Sequence, residues 1–148
     1  MKIQAQMGNY FEVVARFDRT DENGETKRVK DIVVVDATCF TDAEAKGRDH
    51  YDSSCNAEIV NINPATYKEA FRDCDVEADT YYKVKISLIT IDEDTSKEKK
   101  TKITYLVLAS SVKNAEAIAN EAMKDSMSDY RIESVSKTNI SNMYYLWE

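Results

Sequence analysis

Two stretches of the chain alternate apolar and polar residues with a period of two. Phe11, Val13, Ala15 and Phe17 interleave with Tyr10, Glu12, Val14, Arg16 and Asp18. Tyr82, Val84, Ile86 and Leu88 interleave with Tyr81, Lys83, Lys85 and Ser87. This period predicts β-strands with one face on a core. Each strand runs into a polar turn. Asp21-Glu22-Asn23-Gly24 carries hairpin chemistry, because Asn and Gly tolerate the positive φ of tight turns. Asp92-Glu93-Asp94-Thr95 is a weaker signal in the same place. Second strands are expected over 29–37 and 101–109. They are apolar on both faces, Val33 and Val35 against Ile32 and Val34, and Tyr105 and Val107 against Leu106 and Leu108. A sheet covered on one side needs only one apolar face. Val34, Leu106 and Leu108 are therefore expected to be buried, under the sister half of the chain, its C-terminal tail or a second subunit.

Helices are predicted at about 41–53 and 111–126. Thr41-Asp42-Ala43-Glu44 fits a capping box at the start of the first, with Phe40 stapling onto Ala45. Ser111 is a suitable cap type for the second, whose stripe is Ala115, Ile118, Ala119, Ala122 and Met123. The first helix has a poorer stripe, Ala43, Lys46, Gly47, His50 and Tyr51, and is expected to be shorter or more exposed. Gly47 and Ala119 suit close approach of helix to sheet. Third strands follow at 57–62 and 130–135. Pro64 then opens an expected short helix carrying Tyr67, Ala70 and Phe71.

The two halves correspond. Tyr10-Phe11-Glu12-Val13 aligns with Tyr81-Tyr82-Lys83-Val84 at an offset of 71, residues 35–45 align with 107–117 at 72, and 59–62 with 132–135 at 73. Three collinear matches, with one residue gained at each connection, point to duplication. The expected fold is α+β, an internally duplicated β-β-α-β unit with antiparallel-rich sheets, strand order 2-1-3 within a unit and a pseudo-two-fold between copies. Its organisation reads as an N-terminal extension (1–9), a first repeat (10–72), a linker (73–80) and a second repeat with an aromatic tail (81–148), together one compact domain. Met143, Tyr144, Tyr145, Leu146 and Trp147 are expected to dock.

Composition narrows the chemistry. The 20 basic and 27 acidic residues leave a net charge of −7, which argues against bulk binding of duplex DNA or anionic lipid. No apolar run is long enough to span a bilayer, and no leader opens the chain, so a cytosolic protein is expected. Cys39, Cys55 and Cys74 form no Cys-x-x-Cys pair, and His50 is the single histidine, so reduced thiols are expected and a multi-histidine metal centre is excluded. Gly8, Gly24 and Gly47 are isolated and make no phosphate loop. The acidic turns lack calcium-loop spacing. No enzyme chemistry, cofactor or metal is expected.

The segments at 9–13, 80–85, 35–45 and 90–93 resemble an uncharacterised family of similar-length proteins from gut Bacteroidales and their phages, including crAss-like phages. The resemblance implies a bacterial or phage cytosolic setting and a mobile-element accessory role. It transfers no activity.

One feature recurs with binding chemistry. Lys27, Arg28 and Lys30 follow the first acidic turn, and Lys97, Lys99, Lys100 and Lys102 follow the second. If Phe11 and Tyr82 face the helices, Tyr10 and Tyr81 point away from them. Basic ribbons beside outward rings meet the needs of a single-stranded nucleic-acid platform. Lysines also shield sheet edges, and both tyrosines also suit cover for a second apolar face. The alternative reading is a homo-oligomeric interaction protein that sequesters a host partner or a small anionic ligand.

Overall fold

The computed structural model describes residues 1–51 and 55–144. Among these the chain forms, in order, β1 (Ile3–Met7), β2 (Tyr10–Thr20), β3 (Thr26–Asp36), α1 (Phe40–His50), β4 (Glu58–Pro64), β5 (Glu69–Asp73), β6 (Thr80–Ile91), β7 (Glu98–Ala109), α2 (Val112–Ala122), β8 (Asp129–Lys137) and β9 (Ile140–Met143). The fold is α+β, with two mixed sheets. It divides into two compact units. One comprises Gly8–Ala65 and the segment from Asn139 onward, and the other comprises Met1–Met7 and Thr66–Thr138. No helix among the described residues is long and apolar enough to cross a membrane.

Each unit is built on a long hairpin. β2 and β3 pair from Tyr10↔Asp36 to Thr20↔Thr26, and β6 and β7 from Thr80↔Ala109 to Ile91↔Glu98. In the first turn Asp21 Oδ1 accepts from the backbone N–H groups of Asn23 and Glu25, both at 2.9 Å, and Gly24 takes a φ of 80°. In the second, Asp92 Oδ1 accepts from the Asp94 N–H at 2.9 Å, and the positive φ of 56° falls on Ser96. The third strand lies beside the first in both units, giving β4-β2-β3 and β8-β6-β7. That is the expected order.

Each helix covers one face of its sheet. Ile118, Ala115 and Ala119 of α2 pack with Val84, Ile86 and Val107, and Ala43 of α1 packs with Phe11, Val13, Val33 and Val35. The two-faced strands are buried as expected at Val34 and Leu106, while Leu108 is half-buried.

Four details differ from the sequence expectation. Residues 1–9 hold a strand, β1, which pairs antiparallel with β5 from Ile3↔Asp73 to Met7↔Glu69. The segment after Pro64 is strand β5 instead of a helix. Phe71 enters the α2-side core against Tyr105 (ring centroids 4.8 Å apart), and β5 is hydrogen-bonded on both edges, to β1 and in parallel to β7. A helix there would leave the outer side of β7 at Tyr105–Leu108 without a partner.

The third difference lies at the helix starts. α1 begins at Phe40 with Cys39 as N-cap, so Thr41 is inside the helix and no Thr41–Glu44 box forms; Asp42 instead accepts from the Thr38 N–H at 3.0 Å. The reciprocal box belongs to α2. Ser111 Oγ accepts from the Asn114 N–H at 3.0 Å, and Asn114 Oδ1 accepts from the Ser110 N–H at 3.1 Å, a cap worth about 1 kcal/mol. Fourth, α1 is no shorter than α2, since both have 11 residues; it is more exposed, as expected, burying Ala43 and Gly47 where α2 buries Ala115, Ile118 and Ala119. Of the aromatic tail, Met143 is buried in β9, which pairs in parallel with β3, and the Tyr144 N–H donates to the Val34 carbonyl at 2.9 Å. Tyr145, Leu146 and Trp147 lie outside the described residues.

Gly47 is required by close approach. A Cβ there would sit 2.7 Å from Val13 Cγ1, on a buried and stiff β-branched side chain. Gly47→Ala gains about 1 kcal/mol of helix propensity but forces overpacking that costs about 1–3 kcal/mol. We expect a net loss of stability in denaturant titration, relieved when Gly47→Ala is combined with Val13→Ala.

Candidate anion-binding site

The basic residues picked out in the sequence are all exposed, but they meet different fates. Lys27, Arg28 and Lys30 belong to β3, and Lys99, Lys100 and Lys102 to β7, with Lys97 in the turn before it. The two sets fall in different units.

Arg28 is neutralised within its own unit. It stands directly across the hairpin from Asp18, and its Nη1 donates to Asp18 Oδ1 at 3.0 Å and to the Asn56 carbonyl at 2.9 Å. Its Nη2 lies 3.5 Å from Glu58 Oε2. The Asn56 side chain also donates to Asp18 at 3.1 Å. These two hydrogen bonds, Asn56 first and Arg28 second, hold the Asp18 carboxyl below its ordinary pKa. Lys30 faces Arg16 across the strands. Lys27 is one residue out of phase with Arg28, so its side chain leaves on the other face.

At the third pair from the end of the other hairpin, where the first has Asp18↔Arg28, stands Ile89↔Lys100. At the fifth, Ser87 faces Lys102. Lys100 therefore has no carboxylate across from it. Val84, Ile86, Ile103 and Val107 point to α2, so Lys85, Ser87, Lys100, Lys102 and Thr104 share the opposite face. There they line a groove of about 510 Å³ together with Glu133. Lys100 and Lys102 are two residues apart on one strand, about 7 Å along it. Three lysines thus line a site with one carboxylate, the Thr104 hydroxyl and a buried Ser87, an excess of positive charge that suits an anion bearing several oxygens. Neighbouring Lys83 lies outside the groove, its Nζ 5.6 Å from the Tyr67 ring centroid.

Lys99 emerges on the α2 face and Lys97 at the turn, so neither lines the groove. Lys85, Ser87, Thr104 and Glu133 were missed in the sequence. Counting residues back from the turn at Asp92 would have placed Ser87 across from Lys102 and Lys85 across from Thr104, all on one face. A larger hollow of about 670 Å³ lies over Arg72, Leu108 and Ser110 in the same unit. Glu77 and Asp79 also line it, so its one cation, Arg72, stands against two carboxylates, and Arg72 Nε donates to Gln4 at 2.7 Å. Among the described residues no three His, Cys, Asp or Glu side chains gather as metal ligands.

Tyr10 and Tyr81 do not face solvent. Tyr10 is 2% exposed and Tyr81 is 3% exposed. Both do leave their strands on the face away from the helix core, but that face is buried at this end of each hairpin, with Val14, Val34 and Leu106 buried as well. Their carbonyls accept backbone N–H groups from Ala65 and Thr138, each at 2.9 Å. Neither ring is available for stacking on a base.

One family model matches residues 9–146, nearly the whole chain, as Domain of unknown function (DUF4494). The chain belongs to the DUF4494 family. No curated protein and no solved structure matches it.

Two outcomes follow for this DUF4494 protein. Tyr10→Ala and Tyr81→Ala each remove a buried ring, so each should cost about 3–5 kcal/mol in thermal or denaturant unfolding. The Asp18 carboxyl should titrate below 3.8 by NMR, and its contribution to stability should be present above that value and vanish as pH falls through the folded pKa. Arg28→Ala should move its midpoint back up.

Proposed function

We propose that this DUF4494 protein is a non-enzymatic accessory of a phage or mobile element, acting in the bacterial cytosol by binding phosphate groups on the β6–β7 hairpin. The observation that carries the reading is the convergence of Lys85, Lys100 and Lys102 on one groove with Ser87 and Thr104. Ammonium groups supply charge to phosphate oxygens, and the half-buried Thr104 hydroxyl supplies a directional hydrogen bond. The site is local, which reconciles it with the overall charge of −7. With Tyr10 and Tyr81 buried, recognition falls on phosphate and not on base stacking.

The phosphates belong either to a single-stranded nucleic acid or to a small phosphorylated ligand, and a salt series separates these sources. Fluorescence anisotropy with a labelled oligothymidylate should show affinity falling with salt. Each of Lys100→Ala and Lys102→Ala should lower the slope of log affinity against log salt by about 0.7, the value for one single-strand phosphate contact. Heat of binding from pyrophosphate, with none from the oligonucleotide, assigns the small ligand. No binding of either at low salt removes the reading.

A further inference from the structure

The outer edge of β7 is only partly paired. β6 pairs with β7 along its whole length, from Ala109 to Glu98. On the other side β5 reaches only Tyr105 to Leu108. Among the described residues, no strand pairs with that outer side along Glu98–Thr104. This leaves a row of backbone N–H and C=O groups in line with β5, a template for one more strand.

We infer that Glu98–Thr104 is a docking edge for an acidic, extended segment of a partner protein, which adds to the sheet as a strand beside β7. Charge decides the occupant. Lys97, Lys99, Lys100 and Lys102 surround this edge against a single acid, Glu98. Joining two such edges from two copies of the chain sets lysine against lysine, which disfavours that pairing. The open part of β3, Thr26–Asp31, carries Lys27, Arg28 and Lys30 and disfavours a second copy too.

Pleating specifies the docked strand further. Its side chains alternate between the face of Lys100 and Lys102 and the face of Thr101 and Ile103. Carboxylates at alternate positions meet the lysines, and β-branched residues between them pack beside Thr101 and Ile103. The inference uses the backbone edge of β7 and shares Lys100 and Lys102 with the groove, so the two sites are told apart by Lys85, which lines the groove alone.

The test uses the full chain and two capped peptides matching Glu98–Thr104 in length. One alternates Glu with Val, and the other has the same composition with its Glu residues in one block. The alternating peptide should bind, weaken with salt, and protect from hydrogen exchange the amides of Glu98–Thr104 that face away from β6. The blocked peptide should bind about tenfold more weakly, and Lys100→Glu with Lys102→Glu should lose about tenfold or more. Lys85→Ala separates the two sites, since it should weaken phosphate binding and spare the peptide. Equal binding of both peptides without amide protection reduces the edge to simple charge attraction and overturns the inference. So does the absence of peptide binding at low salt, or protection of the same amides by oligothymidylate alone.

Discussion

A buried backbone group must find a hydrogen-bond partner inside the protein, and this constraint organises the DUF4494 fold. β7 buries Leu106 and Val107, and β3 buries Val33 to Val35, so the outer edges of both strands at these points cannot be left to water. Each unpaired group there would cost about 1–3 kcal/mol, and a few of them would rival the 5–15 kcal/mol that typically separates folded from unfolded domains. The hairpins do not supply the missing strand. β5 supplies it to β7 and β9 supplies it to β3, both in parallel. β5 follows β4 in the chain and β9 follows β8, so each closing strand is encoded next to the third strand of the other unit.

The same geometry explains why similar basic sequences behave differently. Arg28 and Lys100 occupy the same step of their hairpins, but Arg28 faces Asp18 and Lys100 faces Ile89. A guanidinium held by two carboxylates and a carbonyl has little charge left to offer a ligand. An ammonium opposite an isoleucine keeps its charge, and Lys102 adds a second beside it. The cross-strand partner decides whether a surface cation is paired within the fold or keeps its charge on the surface.

Long-period features were legible in the sequence. The alternation through Phe17 and Leu88 revealed both hairpins, Gly24 marked one turn, and the stripe Ala115, Ile118 and Ala119 marked a helix. Short features were not. β1, β5 and β9 have 5, 5 and 4 residues, too few for a period to stand out from chance. Their strand state is imposed by the edges they complete. The α1 start was misplaced because Thr41 and Glu44 satisfy a local rule, whereas Asp42 reaching back to Thr38 sets the actual cap. Tyr10 and Tyr81 were assigned the right face, but alternation alone does not say whether that face meets solvent. At the site, Lys100 and Lys102 were visible as a basic run. The bond of Arg28 to the Asn56 carbonyl was invisible because it joins residues 28 apart and Asn56 lies outside the strands and helices.

The parallel pairing of β3 with β9 has a consequence for biosynthesis. Ser141, in the closing strand, bonds the Ile32 carbonyl across 109 residues of chain. At a synthesis rate of about 5–20 residues per second, the outer edge of β3 waits roughly 5–20 s on the ribosome before its partner exists. For that interval Ile32 to Val34 form an apolar, unpaired ribbon in a crowded solution. Lys30, beside that ribbon on the same strand, is the kind of edge charge that disfavours pairing between nascent chains until β9 emerges.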